Sequence, residues 1–165
     1  MSDSDVKILI VDDVESNRFV LRNIIGDMGY NPILAENGMQ ALKAVSVVKP
    51  SLILLDISMP NMDGFEVCSH LKRDPSTKDI PVIFISAYDD SDDIVKGFNM
   101  GCEDYIIKPF VKEVIESRVN VRLKLADTTE KMEKLNRRLV TLVNQQSDRI
   151  WREKKMVLYA LANVA

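Results

Sequence analysis

Residues 52–56 read Leu-Ile-Leu-Leu-Asp, a continuous apolar run that ends in a carboxylate. Three more apolar runs end in polar residues, and they are Ile8–Val11 before Asp12 and Asp13, Val82–Ile85 before Ser86, and Tyr105–Ile107 before Lys108. Short apolar runs that alternate with helical stretches are typical of the buried strands of a parallel sheet. The chain is therefore predicted to have an α/β fold built on such a sheet.

The polar residues after these runs are predicted to meet in one crevice. In an open parallel sheet, ligands bind beyond the carboxyl ends of the strands, where the strand order reverses. The four runs deliver three carboxylates, a hydroxyl and an ammonium group to that edge. This set of groups suits a divalent cation together with an anion such as a phosphoryl group.

Strands and helices alternate five times over about the first 125 residues. The predicted strands are 7–11, 31–35, 52–57, 82–86 and 104–107, and the predicted helices are 15–28, 39–48, 63–73, a fourth that follows the acidic stretch 89–93 to about Met100, and a fifth after Pro109. In the first helix, Phe19, Leu21, Ile24 and Ile25 are the candidates for burial.

The second strand contains Asn31 and Pro32 and is the least apolar, which suits a sheet edge. With right-handed crossovers and helices on both faces, the predicted strand order is 2-1-3-4-5. This is a doubly wound, flavodoxin-like sheet of five parallel strands. It places the ends of the first and third strands side by side, so Asp12, Asp13 and Asp56 converge.

Composition and length limit the class of protein. With 165 residues, the chain is long enough for one domain plus an appendage. Cys68 and Cys102 do not suggest a disulfide framework, so reduced and buried thiols are expected. The acidic N-terminus resembles no signal peptide, and no apolar stretch approaches the length of a membrane span. We expect a cytoplasmic protein that does not contact a membrane.

Charge is distributed unevenly along the chain. Residues 1–126 hold 20 acidic and 14 basic residues, a net charge of −6, whereas residues 127–165 hold 5 acidic and 8 basic residues, a net charge of +3. An acidic domain is a poor candidate for nucleic-acid binding. The basic residues near the C-terminus are spread around a helix, and we interpret them as a solvated surface. No direct nucleic-acid binding is expected of this chain.

A long C-terminal helix is predicted to form a coiled coil. Apolar residues recur at alternating steps of four and three, with Thr128 in phase, and this heptad stripe comprises Val121, Leu125, Thr128, Met132, Leu135, Leu139 and Leu142. After Leu142 the phase slips, which resembles a stutter. A parallel homodimer would bury the stripe, whereas the alternative is a helix that folds back on the domain. The predicted domains are 1–125 and a helical linker, 126–165.

The site chemistry favours phosphoryl transfer to Asp56. Asp12 and Asp13 can give Mg²⁺ one direct and one water-mediated contact. Asp56, between that cation and Lys108, would stay ionised and act as an oxygen nucleophile. Lys108 and the cation would neutralise phosphoryl oxygens, and the Ser86 hydroxyl would donate to another. The alternative is separate structural roles, with Asp12 and Asp13 as a helix cap, Ser86 in the core and Lys108 on the surface.

Four segments together resemble the receiver domain of two-component response regulators, over about residues 5–125. They are Lys7–Asp13, Leu54–Gly64, Ile85–Ala87 and Asp104–Phe110. The resemblance implies that a phosphohistidine on a sensor histidine kinase or phosphotransfer protein phosphorylates Asp56 in a Mg²⁺-dependent reaction.

The same resemblance implies a role for each site residue. Mg²⁺ ligands carry over to Asp13, Asp56 and the backbone carbonyl of Ser58, with Asp12 in the outer shell. Ser86 and Tyr105 match the pair that reorients when the domain switches, and the Lys108–Pro109 bond matches one that is cis in the family. A homodimer through helix four, strand five and helix five, together with the C-terminal helix, would relay the switch.

Two other readings concern the output and the chemistry. Residues 156–165 weakly resemble the segment that opens an HD-GYP cyclic di-GMP phosphodiesterase domain and end in mid-helix, which suggests a missing output domain. The alternatives are a diguanylate cyclase or another enzyme module, or a natural stop. The chain itself is expected to be no enzyme beyond its own phosphotransfer and autodephosphorylation.

A metal-dependent phosphatase with Asp56 as nucleophile is the alternative function, although Ser58 stands where such enzymes typically have a second acid. A flavodoxin-like electron carrier would need a phosphate-binding loop after the first strand, which is not found.

Overall fold

A computed structural model describes residues 5–87 and 91–164 of the chain. Within them, five parallel strands form one sheet in the order β2-β1-β3-β4-β5. The strands are β1 Lys7–Val11, β2 Asn31–Ala35, β3 Leu52–Asp56, β4 Val82–Ser86 and β5 Asp104–Ile107. The helices between and after them are α1 Glu15–Asp27, α2 Gly38–Val48, α3 Gly64–Arg73, α4 Ser91–Asn99 and α5 Lys112–Ala162. The predicted fold and strand order are confirmed.

The strands are held in register, so their carboxyl ends lie at one edge. Val11 pairs with Leu55, Asp56 with Ile85 and Ser86 with Ile107 across three of the four ladders of the sheet. Both central strands β3 and β4 are buried along their whole length. The residues that directly follow β1, β3, β4 and β5 therefore surround the same crevice.

Two apolar clusters cover the two faces of the sheet, because alternate residues of a strand point to opposite faces. Leu9, Leu55 and Phe84 belong to one cluster, which α2 and α3 complete. Ile10 and Ile85 belong to the other, together with residues of α1 and α5. Buried on both faces, the sheet positions the polar residues at its carboxyl edge.

One predicted core residue in α1 is wrong. Leu21, Ile24 and Ile25 are buried as expected, but the Phe19 side chain is 59% exposed. At about 100° per residue, Phe19 lies on the opposite face of the helix from those three residues. Apolar character alone suggests that Phe19 is buried, whereas helix geometry places it in solvent.

Helix ends agree with the sequence signals to within about two residues where the structure describes them. Gly29 and Gly101, the predicted stops after α1 and α4, have φ angles of +84° and +92°. Glycine adopts this left-handed conformation without steric cost, so both helices end there. Residues 89 and 90, part of the acidic stretch that predicted α4, lie outside the described residues.

The chain divides into two compact units, residues 1–124 and 125–165. In the second unit, α5 continues to Ala162, and the apolar side chains of the heptad stripe from Leu125 to Leu142 are each more than half exposed. Among the described residues, no helix has the length and apolar character required to cross a membrane.

Candidate functional site

Asp12 sits directly after β1 and is fully buried. Its Oδ1 accepts a hydrogen bond from the Val14 backbone N–H at 2.8 Å, and its Oδ2 accepts one from the Asn17 side-chain amide at 3.0 Å. The helix-cap alternative fails for this residue, because the N-cap of α1 is Val14 and no side chain caps it. The Asp12 carboxylate is instead fixed at the crevice by the start of α1.

Sequence reasoning missed Asn17 and Arg18. Asn17 holds the Asp12 carboxylate, and the Arg18 guanidinium donates to the Asp12 backbone carbonyl at 2.6 Å. Both residues lie in the first turns of α1, which follows β1 closely. The sequence signal that could have found Asn17 is its position, because it places a side-chain donor one helical turn after Asp12 and Asp13.

Asp56 ends β3, and its side chain is 2% exposed. Its Oδ1 accepts from the Ser58 N–H and its Oδ2 from the Lys108 Nζ, both at 3.3 Å. Burial raises the pKa of the Asp56 carboxyl to about 6, the negative charge of Asp12 adds to this, and the Lys108 ammonium opposes it. Burial and the Asp12 charge therefore outweigh the effect of the Lys108 ammonium, so Asp56 ionises less readily here than an ordinary carboxyl does.

Gly64 lets the loop after Asp56 close tightly. A Cβ at position 64 would lie 2.3 Å from the backbone carbonyl oxygen of Asp56 and 2.9 Å from the Ile57 Cα. The Gly64 N–H donates to the Ile57 carbonyl, and a capping box between Asp63 and Glu66 starts α3 at this point. The beginning of α3 therefore rests on the backbone that carries the Asp56 carboxylate.

Lys108, after β5, bridges two of the carboxylates. Its Nζ lies 3.3 Å from the Oδ2 of Asp12 and 3.3 Å from the Oδ2 of Asp56. The following Lys108–Pro109 peptide bond is cis, as the resemblance implies. The surface alternative for this lysine is wrong, because its head group points into the crevice.

Asp13 completes the acidic cluster. Asp12, Asp13 and Asp56 each offer a carboxylate oxygen, and these atoms lie within 4.8 Å of one another. Asp13 is exposed, whereas Asp12 and Asp56 are buried. Carboxylates are the ligands that Mg²⁺ prefers, and a cation would offset the Asp12 repulsion that adds to the effect of burial on the Asp56 pKa. The residues present therefore fit a hard divalent cation.

The two residues expected to reorient lie on β4 and β5. Ser86 is 4% exposed, and its hydroxyl donates to the Ala87 carbonyl at 3.0 Å. The half-buried Tyr105 ring packs edge-to-face against Phe98 of α4 with a centroid distance of 5.8 Å. The Arg118 guanidinium of α5 lies 5.8 Å from the same ring. Tyr105 therefore contacts both helices of the predicted dimer face.

Asp104, also missed from the sequence, ties β5 to α5. It is 7% exposed, and it accepts hydrogen bonds from the Arg118 and Arg122 guanidinium groups. The Tyr105 backbone N–H also donates to it. The acid precedes the two arginines by 14 and 18 residues and lies on a strand, so it gives no periodic signal, and the pairing depends on how α5 packs on the sheet.

Comparison with known proteins identifies the family. The family model described as the response regulator receiver domain matches residues 8–120, so this chain belongs to the family of response regulator receiver domains. The solved receiver domain of a signal transduction histidine kinase from Syntrophus aciditrophicus is 35% identical, with a TM-score of 0.67 over 72% of this chain and 90% of that one. The Vibrio cholerae chemotaxis protein CheY4 is 26% identical, with a TM-score of 0.67 over 70% and 96%.

Similar curated proteins are named as transcriptional regulators. RpaA of Synechocystis, a DNA-binding dual master transcriptional regulator, is 34% identical over 92% of this chain and 65% of its own length. The DNA-binding response regulator MtrA of Mycolicibacterium paratuberculosis is 36% identical over 73% of this chain and 52% of its own. The chain spans about half the length of several curated relatives it matches. These relatives do not support the expected resemblance to an HD-GYP linker.

Proposed function

We propose that Asp56 is the phosphoacceptor of this receiver domain and that its phosphorylation is Mg²⁺-dependent. The observation that carries the proposal is the position of the buried Asp56 carboxylate between the Lys108 ammonium and the carboxylates of Asp12 and Asp13. The partner would be a sensor histidine kinase or a phosphotransfer protein that presents a phosphohistidine. Asp13, Asp56 and the Ser58 backbone carbonyl would hold Mg²⁺, with Asp12 outside the direct ligands.

Each residue has a defined part in the transfer. An Asp56 carboxylate oxygen forms the new bond to phosphorus, while the bond from phosphorus to the histidine nitrogen breaks and its electron pair stays on the imidazole. The Lys108 ammonium neutralises charge on the phosphoryl oxygens, and the Ser86 hydroxyl turns from the Ala87 carbonyl to donate to one of them. A bound Mg²⁺ supplies further neutralisation of the phosphoryl charge.

The switch would spread from Ser86 to Tyr105. As Ser86 moves toward the phosphoryl group, Tyr105 turns inward and leaves its contacts with Phe98 and Arg118. Phe98 lies in α4 and Arg118 lies in α5, so this movement of Tyr105 alters the α4, β5 and α5 face that is proposed for homodimerisation. In this proposal residues 1–125 are the receiver domain, and 126–165 are a helical linker that relays the change.

The names of the relatives favour a transcriptional output over a cyclic di-GMP phosphodiesterase. We assign no DNA contact to the described residues, because the receiver portion is acidic and its site is built for an anion and a cation together. No multiple-turnover enzyme activity is assigned to them either. A phosphatase would turn over a generic phosphate ester, whereas a receiver accepts one phosphoryl group.

Beryllofluoride, which mimics a phosphoryl group on a carboxylate, tests the site. Isothermal titration in Mg²⁺ should give one binding site per chain, and the signal should vanish in Asp56→Asn. The matched control is Asp63→Asn, which removes a nearby negative charge outside the acidic cluster while the asparagine can still cap α3. Equal binding to wild type and Asp56→Asn would show that another group accepts the ligand.

A further inference from the structure

The side-chain amide of Asn17 faces the buried carboxylate of Asp12. Its Nδ2 lies 3.2 Å from the Asp12 Oδ1 and 3.0 Å from the Asp12 Oδ2. Because an ionised carboxylate only accepts hydrogen bonds, the amide nitrogen and not the amide oxygen must face it. Asn17 is the third residue of α1, where a polar side chain often bonds back to the N-cap of its own helix. Here the side chain instead serves the residue that follows β1.

Four donor contacts surround the Asp12 carboxylate. Its Oδ1 accepts from the Val14 N–H at 2.8 Å and from the Asn17 amide. Its Oδ2 accepts from the same amide and lies 3.3 Å from the Lys108 Nζ. A carboxylate has about four lone-pair sites, so these contacts can occupy all of them. Without Asn17, a fully buried carboxylate would lose two of its four contacts, which is unfavourable for a buried charge.

The Lys108 ammonium is the mobile donor that can replace those contacts. Its Nζ lies 3.3 Å from the Oδ2 of Asp12 and 3.3 Å from the Oδ2 of Asp56, so the two carboxylates share it evenly. If Asp12 loses a competing donor, it attracts this ammonium more strongly, because buried charges interact at a low effective dielectric constant. The balance then shifts toward Asp12 and away from Asp56.

We propose that Asn17 is a positioning residue for phosphoryl transfer. By donating to Asp12, it keeps the Lys108 ammonium available at the phosphoacceptor. This inference rests on the proposed function, in which Lys108 neutralises the phosphoryl oxygens. Asn17 itself touches neither reacting group and acts through the other two side chains.

The neutrality of the amide suits this role. Asp12, Asp13 and Asp56 already place three carboxylates within 4.8 Å of one another. A lysine or arginine at position 17 would compete with Mg²⁺ for them, and an aspartate would add to their mutual repulsion. Asparagine supplies a donor and leaves the charge of the crevice unchanged.

Calorimetric titration of the full chain with beryllofluoride tests the role of the amide. Mg²⁺ is raised until the beryllofluoride dissociation constant no longer depends on it, so a change in metal affinity does not enter. Asn17→Leu keeps a side chain of similar size without a donor, and the dissociation constant should rise about tenfold, the lower end of the usual cost of losing a partner that orients a metal-site residue. Asn17→Ala also lacks the donor and should show the same loss.

Two further variants separate the donor from packing. Asn17→Gln keeps an amide on a longer stem and should bind beryllofluoride within about threefold of wild type. Asn23→Leu changes an exposed asparagine of the same helix and should bind within about twofold. Urea unfolding establishes that each variant is folded. Binding by Asn17→Leu and Asn17→Ala at the wild-type level would overturn the proposal, and so would a loss in Asn17→Gln as large as theirs.

The action through Asp12 has its own test. In Asp12→Asn, the charge that would attract Lys108 is absent. Adding Asn17→Leu to Asp12→Asn should therefore change the beryllofluoride dissociation constant by less than about twofold. A further tenfold loss would show that Asn17 does not act through Asp12 and would overturn the proposal. Failure of the wild type to bind beryllofluoride would instead contradict the phosphoacceptor assignment, so the two failures are distinguishable.

Discussion

The Nζ of Lys108 lies 3.3 Å from the Oδ2 of Asp56, although strand β4 separates the two strands that carry these residues. Neighbouring strands lie about 4.8 Å apart, so β5 and β3 are roughly 10 Å apart. The four-carbon stem of Lys108, which directly follows β5, helps to cover this distance, and the Lys108 backbone N–H donates to the Ser86 carbonyl at the end of β4 at 2.9 Å. The same ammonium also contacts Asp12, and a single cation thereby joins the ends of β1, β3 and β5.

Stability should depend on pH through Asp56. Its pKa is about 6 in the folded chain against an ordinary value of 3.8, so above pH 6 the ionised carboxylate destabilises the fold by about 2–3 kcal/mol. Asp56→Asn should raise the free energy of unfolding by that amount at pH 7.5 in EDTA, and the gain should disappear as pH falls toward 4. Urea unfolding at both pH values measures it.

The control for this measurement is Asp79→Asn, an exposed carboxylate in the loop between α3 and β4. It should change the free energy of unfolding by less than about 0.5 kcal/mol at either pH. A stabilisation of Asp56→Asn that is the same at pH 4 and pH 7.5 would show that the effect is not due to ionisation.

Asp13→Ala should weaken Mg²⁺ binding about tenfold or more, because it removes a carboxylate oxygen that faces the cation. Calorimetric titration with Mg²⁺ measures the dissociation constant. Glu15→Ala removes an equal charge two residues away at the start of α1 and should change the constant by less than about twofold. If Asp13→Ala binds Mg²⁺ as the wild type does, Asp13 is no metal ligand.

Gly64→Ala should destabilise the chain by about 1–3 kcal/mol, because its Cβ would fall 2.3 Å from the Asp56 carbonyl oxygen and force the backbone apart. Gly26→Ala in α1 meets no atom within 4 Å and should stabilise by about 0.5–1 kcal/mol. Thermal unfolding separates the two variants. Equal melting temperatures would contradict the close packing of α3 on the Asp56 loop.

The long helix carries a separate prediction. Leu135→Ala with Leu139→Ala should dissociate the dimer, since each buried Leu→Ala change costs about 2–5 kcal/mol. Sedimentation velocity at tens of micromolar measures this, and Val140→Ala, which removes an exposed apolar residue outside the stripe, is the control. A wild-type chain that sediments as a monomer with and without beryllofluoride would refute the coiled-coil linker.

The sheet was predictable because its strands are short apolar runs separated by turn residues. The strand order was predictable because Asn31 and Pro32 make β2 the least apolar strand, and β2 lies at an edge of the sheet. The crevice was predictable in outline, since each of its polar residues directly follows a strand. Asp56 and Lys108 could therefore be placed together before any distance was known.

The remaining features depend on packing that a linear pattern does not encode. The spacing of Asn17 offered a donor near the acidic pair, but its bond to Asp12 depends on how α1 starts beside the end of β1. Asp104 meets Arg118 and Arg122 because α5 crosses beside β5, and nothing in the local sequence marks that pairing. Phe19 shows the converse error, in which an apolar residue suggested burial although its helical phase opposed it.

Site-resolved mass spectrometry after reaction with phosphoramidate, a small phosphodonor, shows which residue accepts the phosphoryl group. The wild-type chain should carry one phosphoryl group, on Asp56, in the presence of Mg²⁺ and none in EDTA. Asp56→Asn should remain unlabelled, while Asp63→Asn should be labelled as the wild type is. Labelling of Asp56→Asn to the wild-type extent, or labelling of wild type at another residue, would contradict the assignment of Asp56 as the phosphoacceptor.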